Sequence, residues 1–253
     1  MKITFLGTGT SQGIPIIGSI HPVCLSDDKR DKRLRSSVMI EWDNYRYIID
    51  CGPDFRQQLL RENVDFINGI IFTHEHADHT AGLDDIRPFC HRQGPIPIYV
   101  PKRIVENLKK RFDYIFAEIA RYPGAPRVIL KTIYNSIFKL NGKEIQPIEY
   151  LHGKLSIFGY RIDNFAYLTD IKHIAEVEKQ KLTNLDVLVV SALRIEPHAT
   201  HLSLDEALLL IEEIQPKRAY LTHVSHLLGF HNEVEKILPD YVNLAYDGLS
   251  INI

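Results

Sequence analysis

Apolar and polar positions along the chain predict strands and helices in alternation. Short apolar runs bounded by Gly, Pro, Asn or Asp predict strands, and SVMIEWDNYRYIIDCG predicts a hairpin that turns at Asp43 and Asn44. The other predicted strands are KITFLG, INGIIFT, PIPIYV, KEIQPIEYLH, FGYRID, FAYLTD, LDVLVVSA and RAYLTH. Because the second half repeats the style of the first without a low-complexity linker, we predict one α/β domain over residues 1–253.

Several segments carry the apolar spacing of a helix. DFRQQLLREN begins with Asp54, which we expect to cap the helix, with Gln57 three residues later. RIVENLKKRFDYIFAEIA has helical periodicity over residues 103–120, and HNEVEKIL predicts a short helix. Residues 121–150 have a weak pattern, so we expect a protruding hairpin or a loop before KEIQPIEYLH.

The segment SLDEALLLIEEI gives the best-marked helix. Ser203 is the expected N-cap, and Glu206 occupies the capping-box position three residues later. Leu204, Leu208 and Ile211 then fall on one face, as they do in a helix that packs against a core.

Composition narrows the class of protein. The chain has 253 residues, of which 45% are hydrophobic and 25% charged, with a formal net charge of −2, so no overall positive field attracts nucleic acid or acidic membranes. No apolar stretch approaches the roughly 20 residues of a spanning helix. Basic residues at 29–35 and 102–111 are expected to be solvated faces. We therefore expect neither a membrane nor a nucleic-acid partner.

Two further features favour the cytoplasm. MKITFLGTGT lacks the long apolar core and small-residue cleavage site of a signal peptide. Three widely spaced cysteines, Cys24, Cys51 and Cys90, fit a reducing compartment better than a disulfide framework.

The stretch HEHADH places four potential metal ligands within six residues, directly after a predicted strand. They are His74, His76, Asp78 and His79. In an extended segment, positions 74 and 76 face the same side and can reach one metal. If the chain then turns into a helix, Asp78 and His79 swing toward a neighbouring position, which predicts two clusters close together.

Other predicted strands end in the same way. AYLTD ends at Asp170, AYLTH at His223 and IQPIEYLH at His152. Side chains at the ends of buried strands point into the crevice at the edge of a sheet, so these ligands can converge with HEHADH. Imidazole and carboxylate together suit Zn²⁺, Fe²⁺ or Mn²⁺, and the absence of cysteine from these positions favours a catalytic over a structural site.

With these residues in view, the chain resembles the metallo-β-lactamase superfamily, in which H-x-H-x-D-H follows a strand. FLGTGTSQGIP, IIDCG, LTD and LTH occur in the expected order around it. HGKLSIFGY, LTHVSH and YDGLSI are most similar to the phosphodiesterase branch, in particular to the phosphoribosyl cyclic phosphate phosphodiesterases of the carbon–phosphorus lyase pathway. Ribonuclease Z is a more distant resemblance, through HLSLDEALLLIEEIQPKRAYLTHVS. The resemblance implies an αββα four-layer sandwich.

The resemblance also implies a pairing of ligands that spacing leaves open. Two divalent ions, Zn or Mn, are expected, with Asp170 bridging them and Asp50 orienting a ligand histidine. One metal is assigned His74, His76 and His152, and the other Asp78, His79 and His223.

Catalytic roles follow from the same resemblance. It marks Asp78, besides its metal, and His201 as catalytic residues, with His201 binding a phosphoryl oxygen or protonating the leaving oxygen. His198 is expected to be a loop residue, and Glu75 and Ala77 are expected to serve only local packing.

The resembling phosphodiesterases also carry a structural zinc, held by three cysteines and a distant histidine. The matching positions here are Ser19, His21, Cys24 and His226, so the expectation is an additional structural Zn on His21, Cys24 and His226, one ligand short of a closed tetrahedron. His231 or water is expected to complete it.

The function expected from the whole pattern is a two-metal phosphodiesterase. A hydroxide bridging the metals attacks small cyclic or diester phosphates, and a homodimer is expected only from the resemblance. The alternatives are a hydrolase of another ester class, such as a thioester, lactone or β-lactam, and a ribonuclease Z-like nuclease. A non-catalytic RNA-binding or scaffold role fits less well, because all seven ligand positions are retained.

Overall fold

The computed structural model describes residues 1–117 and 122–253, and the strands within these ranges form two sheets. In chain order the strands are β1 (Lys2–Gly7), β2 (Ser37–Trp42), β3 (Tyr45–Ile49), β4 (Gly69–Ile71), β5 (Ile96–Pro101), β6 (Val128–Ile133), β7 (Phe138–Leu140), β8 (Lys143–His152), β9 (Leu155–Ile162), β10 (Phe165–Leu168), β11 (His173–Ile174), β12 (Val187–Ser191), β13 (Arg218–Thr222), β14 (Val242–Leu244) and β15 (Ser250–Asn252).

The helices lie between the strands. They are α1 (Pro22–Leu25), α2 (Phe55–Arg61), α3 (Ala77–Thr80), α4 (Arg87–Gln93), α5 (Val105–Arg111), α6 (Asp113–Phe116), α7 (Glu176–Lys179), α8 (Leu204–Ile214) and α9 (His231–Glu235). Short 3₁₀ turns span Lys29–Asp31, Ala81–Ile86, Lys102–Ile104, Gln180–Leu182 and His226–Leu228.

Each sheet combines antiparallel and parallel pairs. The first has the order β15-β1-β2-β3-β4-β5-β6, and its pairs from β3 to β6 are parallel. The second has the order β11-β8-β9-β10-β12-β13-β14, with β7 paired to β8, and its pairs from β10 to β14 are parallel. Because parallel strands end at a common edge, each sheet presents a row of carboxyl ends there.

Three groups of buried side chains define four layers. One group lies between the sheets and includes Ile3 and Val38 from the first and Tyr160 and Val189 from the second. Another packs α2, α4 and α5 on the outer face of the first sheet. The third packs α8 on the outer face of the second. The predicted αββα sandwich is confirmed.

Most of the predicted elements are confirmed, and one predicted cap is wrong. The hairpin turns at Asp43 and Asn44, and Ser203 and Glu206 form the full capping box of α8. Asp54 does precede α2, but its carboxylate makes no cap hydrogen bond. Instead it accepts hydrogen bonds from the backbone N–H and the guanidinium of Arg35 at 2.8 and 3.0 Å, so both of its oxygens are engaged away from the helix. The charge of the guanidinium strengthens this contact.

The weakly patterned stretch contributes more to the sheets than expected. Of residues 121–150, strand β6 extends the first sheet, and β7 forms a hairpin with β8 in the second. The helix expected over 103–120 is divided: a 3₁₀ turn precedes α5 and α6, and its last three positions lie outside the described residues. Within the described ranges, every helix is too short or too polar to cross a bilayer.

Candidate metal centre

The strand ends of both sheets meet around HEHADH. In the first sheet, Asp50 directly follows β3 and His74 lies three residues beyond β4. In the second, His152 is the last residue of β8, and His223 directly follows β13. Asp170 is separated from the end of β10 by Thr169 alone. The predicted convergence of these strand ends is therefore present in the fold.

The motif changes from extended chain to helix where the spacing predicted. His76 is the N-cap of α3, with φ of −59° and ψ of 152°. Asp78 and His79 lie in the first turn of that helix. The ring of His79 nevertheless stays close to that of His74, with 4.2 Å between their centroids.

Three of the residues at the strand ends have left-handed backbone. The φ angles are 63° at Asp50, 57° at Asp170 and 55° at His223. Non-glycine residues rarely adopt this conformation, although Asp, Asn and His tolerate it best. Such residues cluster at functional sites, where the fold holds side chains at fixed angles.

Hydrogen bonds fix the orientation of three histidine rings. His79 Nδ1 donates to a carboxylate oxygen of Asp50 at 2.7 Å, and His152 Nδ1 donates to the carbonyl oxygen of Thr200 at 2.9 Å. His74 Nδ1 lies 2.9 Å from the hydroxyl of Thr73, which itself donates to Asp50. Because each Nδ1 carries the proton, each Nε2 offers a lone pair to a metal.

Two groups of metal-capable side chains result, and within each group the ligand atoms all lie within 4.8 Å of one another. The first consists of Asp78, His79, Asp170 and His223, and the second of His152, Asp170 and His201. Asp170 belongs to both groups. Its predicted role as a bridge between two metals stays a prediction.

Buried atoms without hydrogen-bond partners fit a cation at the first group. Among the described residues, the Nε2 atoms of His79 and His223 are buried and unsatisfied. His79 Nε2 lies 3.1 Å from Asp78 and 3.2 Å from Asp170, and His223 Nε2 lies 3.1 Å from Asp170. Nitrogen and carboxylate oxygen donors that converge without hydrogen bonds are the donor set of a divalent metal.

Electrostatics gives the same result. Burial disfavours an imidazolium at His79, but the surrounding carboxylates raise its pKa well above the usual range. Burial also disfavours a carboxylate at Asp170, yet His223 and His79 lower its pKa well below the usual range. The centre thus favours positive charge among its acidic groups, and a divalent metal would supply that charge.

His201 lies among the candidate ligands. Its ring centroid is 4.5 Å from that of His152 and 5.0 Å from that of His223, and its Nδ1 lies 3.8 Å from Asp170. That Nδ1 is buried without a hydrogen-bond partner, and burial together with His223 lowers the pKa of His201 to about 3. The loop before α8 therefore brings this histidine to the metal centre, more than a hundred residues from HEHADH.

The other predicted trio is gathered less tightly. His74 Nε2 lies 3.1 Å from His76 Nδ1, and the ring centroids of these two histidines lie 5.8 and 5.2 Å from that of His152. Neither His74 nor His76 belongs to the two groups above, where His152 joins Asp170 and His201 instead. The assignment of one metal to His74, His76 and His152 stays a prediction.

Two arginines that were not predicted as site residues hold the loop between His74 and His79. Arg103 makes two hydrogen bonds of 2.6 Å to the Glu75 carboxylate. Arg111 donates to the Glu75 carbonyl oxygen at 3.0 Å and to the Thr80 hydroxyl at 2.7 Å. The expectation that Glu75 serves only local packing is wrong, because both arginines bind the loop that carries the ligands. The basic residues of 102–111 are exposed, as expected of a solvated face, and two of them also hold this loop. Partners 28 and 36 residues away leave no periodic signal in the sequence.

The candidate structural metal site is sparser. The rings of His21 and His226 are 4.7 Å apart at their centroids, Cys24 is buried in α1, and His226 Nδ1 is buried without a partner. His231, the expected fourth ligand, has its Nδ1 3.1 Å from the Arg33 guanidinium instead. A buried arginine needs an acceptor, which explains this orientation. A structural metal at His21, Cys24 and His226 stays a prediction.

Comparison with known proteins gives the family. The model described as "Beta-lactamase superfamily domain" matches residues 45–224. A crystal structure of a diphosphatase from the PhnP family is 39% identical, with a TM-score of 0.93 and coverage of 100% of this chain and 97% of that chain.

Two curated relatives are longer than this chain, and the chain matches only part of each. An octanoyltransferase of Porphyromonas gingivalis is 37% identical over an alignment of 253 positions, which covers 98% of this chain and 51% of the relative. A ribonuclease Z of Methanococcus maripaludis is 26% identical over an alignment of 202 positions, which covers 78% of this chain and 54% of the relative. The chain thus spans about half the length of these curated relatives. Together, the matched domain and the fully covered crystal structure establish that the chain belongs to the β-lactamase superfamily and, within it, to the PhnP family of hydrolases.

Proposed function

We propose that the protein is a two-metal phosphodiesterase of the cytoplasm that acts on small cyclic or diester phosphates. The observation that carries this proposal is the position of His201, which belongs to one of two donor groups that share Asp170 and lies beside His223 of the other. A hydrolase of carboxylic esters or thioesters would use the same metals but would leave His201 without a clear task.

The residues present fit two divalent ions. Asp78, His79, Asp170 and His223 would hold one, and His152, with Asp170 and the neighbouring His74 and His76, would hold the other. When bound, such metals activate water at neutral pH and neutralise charge that builds up on phosphoryl oxygens.

The protein's own groups prepare this centre. Asp50 orients His79, and the Thr200 carbonyl orients His152, so both rings hold the tautomer that offers Nε2 to a metal. The N–H of the buried His201 is available to bind a phosphoryl oxygen or to assist the departing alkoxide. The arginines on Glu75 hold the loop between His74 and His79 in place.

Hydrolysis of a diphosphate is the second candidate. It is favoured by the diphosphatase of the PhnP family, 39% identical over nearly the full length of both chains. A P–O–P bridge presents the same disubstituted phosphorus as a phosphodiester, so one centre could attack either. The match to the octanoyltransferase does not by itself support acyl transfer by this chain, because the alignment covers only 51% of that relative.

The test is a substrate panel on protein whose metal content has been measured. The panel contains bis(p-nitrophenyl) phosphate, a 2′,3′-cyclic phosphate, a ribosyl 1,2-cyclic phosphate, a dinucleoside diphosphate, a thioester and a lactone. We expect turnover of the phosphodiesters, and we expect His201→Gln to lower kcat by about 10²- to 10⁴-fold, the usual range for general acid or base assistance.

His198→Gln is the matched control, since His198 lies three residues earlier with its ring centroid 5.2 Å from that of His201. We expect it to keep nearly full activity. Failure to cleave any phosphodiester with both metals bound would contradict the proposal. Turnover of the thioester or lactone alone, unaffected by His201→Gln, would favour the other ester class.

A further inference from the structure

A cleft of about 470 Å³ opens beside HEHADH, between the 3₁₀ turn at Lys102–Ile104 and strands β6, β8 and β9. Its walls include Lys102, Arg103, Tyr134 and Phe158. None of these residues is a candidate metal ligand, and the proposed hydrolysis assigns no role to the cleft itself.

The cleft shares a wall with the metal centre. Arg103, on one side, holds the Glu75 carboxylate with two hydrogen bonds of 2.6 Å. The backbone N–H of Phe158, on another, donates to the carbonyl oxygen of Thr73 at 3.3 Å. Thr73 and Glu75 flank His74 in sequence, so an occupant of the cleft lies next to the His74 and His76 side of the centre.

The chemistry of the walls suits a planar ring that bears an anionic group. Two aromatic side chains line the cleft. Tyr134 is 54% exposed, and Phe158 is half-buried. The ammonium of Lys102 lies 5.6 Å from the centroid of the Tyr134 ring, within the range of a cation–π contact. Aromatic faces stack on planar rings, and the lysine attracts negative charge.

The other polar groups that line the cleft are already engaged. The Glu149 carboxylate accepts hydrogen bonds from Ser156 and Asn135, and the side-chain oxygen of Asn135 accepts a hydrogen bond from Lys181. Tyr134, Phe158 and Lys102 therefore remain to recognise a ligand, with Arg103 held between the cleft and the motif.

We propose that this cleft is a substrate-binding site for an aromatic substituent of the phosphodiester, a planar heterocycle of the nucleobase type whose own phosphate is bound at the metal centre. The site rests on the proposed function, since it gives that function a substrate class. Tyr134 and Phe158 stack on the ring, and Lys102 binds an additional anionic group on the same substituent.

The experiment measures binding of AMP, ribose 5-phosphate, uridine 5′-phosphate and orotidine 5′-phosphate to the metal-loaded protein by calorimetry. AMP and ribose 5-phosphate share the phosphate and the sugar, so their ratio reports the ring alone. We expect AMP to bind about tenfold more tightly, and Tyr134→Ala to remove most of that ratio while leaving ribose 5-phosphate unchanged. Tyr241→Ala is the matched control, since Tyr241 is also exposed but lies beside β14, at the opposite edge of the second sheet.

Lys102→Gln, with the exposed Lys110→Gln as control, is expected to weaken orotidine 5′-phosphate, whose ring carries a carboxylate, more than uridine 5′-phosphate. Equal affinities for AMP and ribose 5-phosphate, or a Tyr134→Ala variant that preserves their ratio, would overturn the site. Turnover of bis(p-nitrophenyl) phosphate is measured on the same samples. Loss of turnover with an intact AMP preference would reject the phosphodiesterase function and retain the site, so the two failures are distinguishable.

Discussion

Two clusters of potential metal ligands in this molecule differ in how their donors are arranged. At the ends of the central strands, buried donors from both sheets converge, and each oriented histidine has a hydrogen-bond partner on its far nitrogen. Near the N-terminus, His21, Cys24 and His226 come from short segments, and the expected fourth ligand is turned toward Arg33. The two clusters thus differ in preparation for a metal, because backbone ends and hydrogen-bond partners fix the lone pairs of the histidines in the central cluster.

The largest effect is expected at the residue shared by both donor groups. Asp170→Asn should lower kcat/KM by about 10²- to 10⁴-fold, the equivalent of several kcal/mol, because an amide is a poor bridging ligand. Elemental analysis and kinetics check this together. Asp163→Asn is the matched control, since Asp163 also has left-handed backbone, with φ of 51°, but is exposed. Equal activity of the two variants would contradict the shared role of Asp170.

A smaller effect is expected one step away from the metals. Asp50→Asn should weaken metal binding by about 10- to 100-fold, since the amide cannot accept from both His79 and Thr73 as the carboxylate does. Competition with a chelator measures the affinity. Asp43→Asn, in the exposed turn between β2 and β3, changes the same groups at φ of 50° and should leave the affinity unchanged. A matching loss in both variants would point to a general effect on folding.

The N-terminal cluster is expected to respond more weakly. Titration of metal-free protein with Zn²⁺ should give two tight equivalents and a third, weaker one, because three ligands leave the last site open. Cys24→Ser should remove the weaker equivalent without changing diester hydrolysis, whereas Cys90→Ser, in α4, should retain it. Identical two-equivalent titrations of both variants and the parent protein would eliminate the structural metal.

The last expected effect lies outside both clusters' chemistry and is a pH dependence of stability at His231. Burial and the neighbouring Arg33 lower the pKa of His231 to about 4, so between that value and 6.5 the unfolded chain binds a proton that the folded protein does not. Stability is therefore lost as the pH falls through this window, by at most about 3 kcal/mol from this group. Denaturant unfolding at several pH values measures how the free energy of unfolding changes with pH. We expect that change to be smaller for His231→Gln than for the control His173→Gln, because His173 is exposed. Parallel slopes would exclude this contribution.

The sequence predicted those parts of the fold and site that depend on local pattern. The hairpin at Asp43 and Asn44, the capping box at Ser203 and the strand ends at Asp170 and His223 all follow from nearest neighbours along the chain. Residues that act through distant partners could not be predicted in this way. The contact of Arg103 with Glu75 depends on tertiary structure. So does the contact of the Asp54 carboxylate, which binds Arg35 and not the first turn of α2.

The left-handed backbone at Asp50, Asp170 and His223 limits how this centre can change. Aspartate, asparagine and histidine tolerate that conformation, whereas β-branched and bulky side chains do not. Exchange among these three residue types could alter charge and metal preference with little backbone cost. Replacements outside that set would require the strand ends themselves to be rebuilt. The backbone thus acts as a filter on which chemistries are accessible from this scaffold, in natural drift as well as in laboratory redesign.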